Sequence, residues 1–154
     1  MSESTAVSIR PATPHDEAAW RTLWAGYCQF YEVELGSAVT ERTWQRICDP
    51  ASSIKAIVAE HPTLGVIGMA NYIVHDNTWE LSPVCYLEDL FVAPGQRAAG
   101  VGEALIDWLV AAMGQHGWSR IYWMTKENNY RARGLYDKFT PHSDFVRYTV
   151  YPEA

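Results

Sequence analysis

A chain of 154 residues, 48% of them hydrophobic and with seven Trp and nine Tyr, is sized for a single domain (1–154) with a substantial core. With a net charge of −6 and no basic stripe it excludes nucleic acid as a partner, and no apolar run nears the roughly 20 residues of a membrane span. Cys28, Cys48 and Cys85 are too widely spaced for a disulfide frame or a zinc site, and the polar opening "MSESTAVSIR" lacks an apolar signal core, so the expectation is a cytoplasmic protein without a metal or a membrane.

In chain order, "AVSIRPA" reads as a first strand closed by Pro11. From Pro14 to about Tyr31, Trp20, Leu23, Trp24, Tyr27 and Tyr31 recur at helical intervals. Thr40 is the expected N-cap of a second helix, "ERTWQRIC", which Asp49-Pro50 ends. "SIKAIVAE" and "LGVIGMANYIVH" read as a hairpin turning at "HPT", and "PVCYLEDLFV" as a third long strand stopped by Pro94-Gly95. Val101, Ala104, Leu105, Trp108, Ala112 and Met113 form the stripe of a helix lying on a sheet, with Gly114 and Gly117 as its stop. "WSRIYWMT" is a strand reached through that helix and therefore parallel to "LEDLFV". "NNYRARGLYDKF" predicts a last helix with Ala132, Leu135, Tyr136 and Phe139 on one face, and "FVRYTVY" a final strand.

Charge is uneven: residues 1 to 93 carry 12 acids against 5 bases, and residues 94 to 154 carry 6 against 7. The first part suits a cationic ligand and the second tolerates phosphates. Strand, then "GQRAAGVG", then helix presents successive backbone N–H groups at a helix N-terminus, which is an anion site. The pattern is neither Walker A nor G-x-G-x-x-G, which disfavours a nucleotide kinase or a Rossmann dehydrogenase. A glycine-rich helix start serving only a tight turn remains the plain alternative.

Read whole, "LEDLFVAPGQRAAGVGEALI" resembles motif A of the GNAT superfamily of N-acetyltransferases, with Arg97-Ala98-Ala99-Gly100-Val101-Gly102 as its pyrophosphate loop. "NYRARGLYDKF" is similar to that family's motif B through Asn129, Ala132, Leu135 and Tyr136. The phrases "YLEDLFV", "RIYWMT" and "LYDKF" are most similar to the small branch named for yeast histone, polyamine and D-amino-acid N-acetyltransferases. Ala98-Ala99 stand where relatives usually have Gly-Lys, which removes a cation near the cofactor phosphates.

The resemblance implies a mixed α/β (α+β) fold: a mostly antiparallel twisted sheet with a splayed central parallel strand pair, flanked by about four helices. It implies acetyl-CoA as co-substrate. Backbone groups of Phe91 and Val92 would bond the pantetheine arm, amides of Gln96, Arg97, Ala98, Ala99, Gly100, Val101 and Gly102 would hold the pyrophosphate, and Asn129 with Arg131 or Arg133 would reach the cofactor from motif B. A solvated helix face is the alternative role for both arginines.

Acetyl transfer needs a neutral amine, yet a primary amine with a pKa near 10.4 leaves only about one molecule in 2,500 neutral at pH 7. By the strand period of two, Glu88 and Asp89 face opposite ways, so one can address the cleft. Relatives place the base at Glu88, and a carboxylate in an apolar strand tends to a raised pKa, which improves a base. Tyr136 is the family's usual acid for the departing thiolate; full proton transfer would be uphill by roughly 2 kcal/mol, so hydrogen bonding to the sulfur is the expected role. A strand N–H such as that of Phe91 would meet the oxyanion. Capping or pairing for the carboxylates, and core packing for Tyr136, are the competing roles.

Tyr31, Glu32 and Glu34 in "YCQFYEVELG" offer an aromatic wall and two carboxylates for an amine cation, with Asp89 as a further contact. The expected acceptor is a small polyamine-like amine or the lysine of a peptide. The alternatives are an amino acid, an aminoglycoside, or a non-catalytic acyl-CoA-binding module. Cys85 with His75 or His142 lacks the spacing of a nucleophile triad, and His75 and Trp79 read as loop residues bordering the core strand. A homodimer paired through "FVRYTVY" completes the expectation.

Overall fold

The computed structural model describes residues 7–153, in two compact units, residues 7–124 and 125–153. The first unit is built on a five-stranded sheet in sequential order: β1 (Ser8–Pro11), β2 (Ile54–His61), β3 (Gly65–His75), β4 (Val84–Val92) and β5 (Ile121–Trp123). All neighbours are antiparallel except β4 and β5, which are parallel. This is the mixed sheet expected from the sequence. The β2–β3 hairpin turns at 62–64, where His61 Nδ1 accepts from the Thr63 and Leu64 amides and Gly65 takes φ 77°.

Three helices flank the sheet: α1 (Glu17–Phe30), α2 (Ser37–Cys48) and α3 (Val101–His116). Trp20, Leu23 and Trp24 are the buried face of α1, and they pack with Trp44 of α2 on Ala56, Val58, Met69 and Phe91. The indoles stack, Trp20 lying 5.3 Å from Trp24 and 5.1 Å from Trp44. Gly68 faces the other way, because a Cβ there would meet Val101 at 3.0 Å and Leu105 at 3.5 Å, both on α3. Consecutive strand residues point to opposite faces, so α1 and α2 cover one side of the sheet and α3 the other. Val101, Leu105, Ile106 and Leu109 are fully buried there.

Beyond shifts of a few residues at the ends of α1 and of the last helix, which stops at Tyr136 short of Phe139, the boundaries differ from the sequence reading in four places. First, α2 starts at Ser37 behind Gly36, one turn before Thr40, whose hydroxyl instead accepts from Trp24 Nε1 at 3.1 Å. Second, Gly114 lies inside α3; the stop is Gly117 alone, at φ 73° with its N–H on the Met113 carbonyl. Third, "WSRIYWMT" keeps only three residues in β5, the length over which β4 pairs with it. Fourth, "FVRYTVY" is not a strand. Its unit contains one helix, α4 (Tyr130–Tyr136), and no strand among the described residues, so there is no sheet edge within the unit to take up its backbone groups. Phe145, Val146, Tyr148, Val150 and Tyr151 are exposed.

Candidate active site

The register places a discontinuity at the centre of the first unit. Asn71 pairs with Asp89 and Tyr72 with Leu87, so Glu88 is an extra residue in β4, a bulge. Leu87 and Asp89 would share a face in an unbroken strand; here they oppose adjacent residues of β3 and face opposite sides. The period-of-two argument for Glu88 and Asp89 therefore fails locally, because it assumed a regular ladder. The pairing of β4 with β5 also ends at Leu87. Beyond that point β4 pairs with β3 on one edge and with no strand on the other among the described residues.

Which backbone groups line that open edge follows from alternation. The Ala93 N–H is given to the Ile67 carbonyl on the β3 side, at 2.8 Å. Phe91, two residues earlier, points the same way, and Leu90 and Val92 point to the open edge. The Val92 carbonyl accepts from Arg97 Nε at 3.0 Å, as this geometry requires. Arg97 also lies over two rings, 5.0 Å from Phe91 and 5.5 Å from Phe30.

After β4 the loop folds back on itself. Gln96 N–H bonds the Ala93 carbonyl and Ala99 N–H the Gln96 carbonyl, which engages two of the amides expected to hold an anion. Gly100, at φ 76° and ψ 15°, turns the chain into α3. The first intrahelical bond runs from Ala104 N–H to the Gly100 carbonyl, so the amides of Val101 and Gly102 open the helix without an intrahelical acceptor.

The two carboxylates occupy different settings. Asp89 is 8% exposed and held by a buried polar chain: Trp20 Nε1 donates to Asn71 Oδ1 at 3.0 Å, and Asn71 Nδ2 to Asp89 Oδ2 at 3.1 Å. Burial raises its pKa, against the opposing hydrogen bonds of Tyr27 and Asn71. Tyr27 is raised in turn, by burial first and then by Asp89. Glu88 is solvent-accessible, and desolvation by its surroundings followed by the charge of Asp89 pushes its carboxyl above the ordinary 4.5. Only Glu88 combines access with a raised pKa. Asp89 is enclosed.

Among the predicted acceptor residues, Tyr31 packs on Tyr27 at 4.8 Å and so joins the Asp89 side of the site. Glu32 and Glu34 instead border a groove of about 1190 Å³ between α1 and α2, shared with Arg21, Cys28 and Thr40 and lined by neither β4 carboxylate. Glu32 itself is in the left-handed region, φ 56°, where it closes α1: its N–H bonds Gln29 and that of Val33 bonds Cys28.

The motif B residues fall in the second unit. Asn129 caps α4, accepting from the Ala132 amide at 3.4 Å and donating to Thr125 Oγ1 at 3.2 Å. Arg133 donates to the Glu127 carbonyl at 2.7 Å, and Tyr136 is the half-buried last residue of α4. Arg131 is exposed. Cys85 is fully buried and its thiol is pushed to about 12 by that burial, which makes it inert at neutral pH. Among the described residues no three metal-binding side chains come together, and no helix is long and apolar enough to cross a membrane.

Sequence reasoning missed Asn71, Tyr27 and the Tyr86–Tyr122 pair. A single polar residue inside the apolar run "GMANYIV" was the available signal for Asn71, since a buried amide in a strand needs partners.

The profile of the Acetyltransferase (GNAT) family matches residues 18–140. The chain belongs to the GNAT acetyltransferase family. It is 32% identical over 143 residues to the D-amino-acid N-acetyltransferase HPA3 of Saccharomyces cerevisiae, covering 92% of this chain and 89% of that one. It is 33% identical over 104 residues to the aminoglycoside N(6')-acetyltransferase type 1 of Stenotrophomonas maltophilia, covering 67% and 65%. In fold it matches the structure of AAC(6')-Iy in complex with the bisubstrate analog CoA-S-monomethyl-acetylneamine, with a TM-score of 0.81 over 95% of this chain and 98% of the other at 20% identity. The GNAT chain is accordingly an N-acetyltransferase, and its sheet is the fold of that family.

Proposed function

We propose that this acetyltransferase moves the acetyl group of acetyl-CoA to a small, positively charged primary amine by direct attack in a ternary complex. Acetyl-CoA, when bound, supplies an activated thioester. The residues fit it: an open strand edge at Leu90 and Val92 can bond an amide-bearing arm, and the α3 N-terminus can hold a diphosphate through the Val101 and Gly102 amides. In this reading the arm bonds Leu90 and Val92, whose backbone groups alternate to the open edge, and Phe91, whose N–H and carbonyl face β3, contributes its ring. Arg97, already at the Val92 carbonyl, closes that end. Tyr136 hydrogen-bonds the departing sulfur, and Asn129 and Arg133 shape the helix that carries it.

Glu88 accepts the proton of the acceptor nitrogen. Its position as the unpaired bulge residue beside the open edge of β4, accessible and with a raised pKa, is the observation that carries the reading. The adjacent carboxylates of β4 favour a cationic acceptor, and relatives named for D-amino acids and aminoglycosides favour small amines over a lysine in a peptide. Three free thiols suit a reducing cytoplasm, and the exposed apolar "FVRYTVY" suits pairing with a second copy.

The test is kinetic. Glu88→Gln lowers kcat by about a hundredfold or more while acetyl-CoA affinity by calorimetry stays within about twofold. CoA release across polyamines, aminoglycosides, D-amino acids and lysine peptides favours the small cationic amines. Unchanged kcat/KM in Glu88→Gln, or a preference for neutral acceptors, rejects the reading.

A further inference from the structure

We infer that Asn71 is a positioning residue for Glu88: its buried bond to Asp89 selects Glu88, out of three candidates in β4, as the residue left outside the ladder. The selection stands on geometry alone, and its consequence for turnover rests on Glu88 as base.

Two anchors force one residue out of β4 without saying which. The first is Leu87, which pairs with Tyr72 on one edge and with Trp123 of β5 on the other. The second is Phe91, which pairs with Met69 and packs so closely on α1 that a Cβ at Gly26 would lie 2.8 Å from its ring. Between the anchors, Glu88, Asp89 and Leu90 of β4 face only Asn71 and Ala70 of β3. The irregularity belongs to β4, because on its other edge β3 pairs through the same residues without a break, Asn71 with Ala56 and Tyr72 with Lys55.

Asn71 makes the choice. It is 3% exposed and faces α1, where Trp20 is fully buried and stacked on Trp24 and Trp44. An indole N–H can only donate, so Asn71 turns Oδ1 to Trp20 Nε1 at 3.0 Å and presents the donor Nδ2 to β4. That donor needs an acceptor from the residue opposite. Asp89 supplies it, with Oδ2 at 3.1 Å, and Tyr27 of α1 holds the same carboxylate.

The other two positions then follow. Leu90 takes the place opposite Ala70, on the side where Val101 and Leu105 of α3 close on Gly68, and an apolar residue suits it. Glu88 is the one left over. Were Asn71 to pair with Glu88 instead, Glu88 would turn to the enclosed α1 side and Asp89 would be the extra residue. The chain from Trp20 through Asn71 to Asp89 thus decides which of two neighbouring carboxylates is enclosed and which meets solvent.

Interstrand NOEs read the register, and steady-state kinetics read its consequence. In Asn71→Leu, which keeps the shape of the side chain and removes the donor, contacts from residue 71 move from residue 89 to residue 88. Its kcat falls about tenfold or more, while acetyl-CoA affinity stays within about twofold because the strand beyond Phe91 is undisturbed. Exchanging the partners, Asn71→Asp together with Asp89→Asn, reverses donor and acceptor and keeps every bond of the chain. In that pair the contacts stay between 71 and 89 and kcat returns to within about threefold of wild type. Asn71→Asp alone sets two carboxylates face to face and behaves as Asn71→Leu does, so it carries the test if the leucine variant does not fold. Contacts that remain between 71 and 89 in the single variants, or an exchanged pair as slow as Asn71→Asp, overturn the inference. Contacts that move while kcat stays at the wild-type level uphold the selection by Asn71 and reject Glu88 as base.

Discussion

Two nearly buried aspartates in the first unit are held in opposite ways. Asp16 is clasped by Arg10, with Nη1 and Nη2 at 2.8 and 3.0 Å from its two oxygens, and accepts the Thr13 amide at 2.7 Å. The Arg10 bond, as the largest influence, pulls its pKa below the ordinary 3.8. Asp89 faces only neutral donors, Asn71 and Tyr27, and burial wins, raising it. A carboxylate given a cation fastens the chain; here it ties β1 to the start of α1. One denied a cation holds its proton more tightly, and placed beside Glu88 it adds to the desolvation that raises its solvent-exposed neighbour. The bulge turns the two adjacent carboxylates to unlike surroundings.

Substitutions sharpen the contrast. Asp16→Asn breaks a charge-assisted fork and costs about 2 kcal/mol at neutral pH, read by urea denaturation. Glu32→Gly has the opposite sign. It relieves a side chain at φ 56° and stabilises the fold by about 1 kcal/mol, read by the same denaturation. Asp89→Asn has the smallest effect, below about 1 kcal/mol at neutral pH, since an amide can keep both hydrogen bonds.

The pH dependence divides the two aspartates by sign. The stabilisation from Asp16, whose folded pKa is lowered, is present above 3.8 and lost as pH falls through its folded value. Asp89, whose folded pKa is raised, adds stability below 3.8 that is lost as pH rises through its folded value. Asp89→Asn therefore flattens the stability curve just above pH 3.8, and Asp16→Asn flattens it below. Chemical denaturation across pH 2 to 7 for the two variants reads both slopes.

Much of this was legible in the residues. The Trp20–Leu23–Trp24 stripe set the buried face of α1, the strand-loop-helix grammar of "LFVAPGQRAAGVGEAL" located the turn from β4 into α3, and a helix between "LEDLFV" and "RIYWMT" required a parallel pair. What escaped was set by neighbours distant in sequence. The bulge at Glu88 exists only against Tyr72 and Asn71, Gln96 and Ala99 give their amides to a turn, and Thr40 is drawn inside α2 as partner to Trp24. "FVRYTVY" shows the limit from the other side: β-forming residues make no strand without an edge to pair with.

The measurement closest to the central claim is a carboxyl 13C NMR titration that resolves Glu88 from Asp16 in the folded protein. Glu88 titrates above 4.5 and moves down when Asp89 is replaced by Asn, while Asp16 titrates below 3.8. A Glu88 carboxyl titrating at or below 4.5, indifferent to Asp89, would contradict the account.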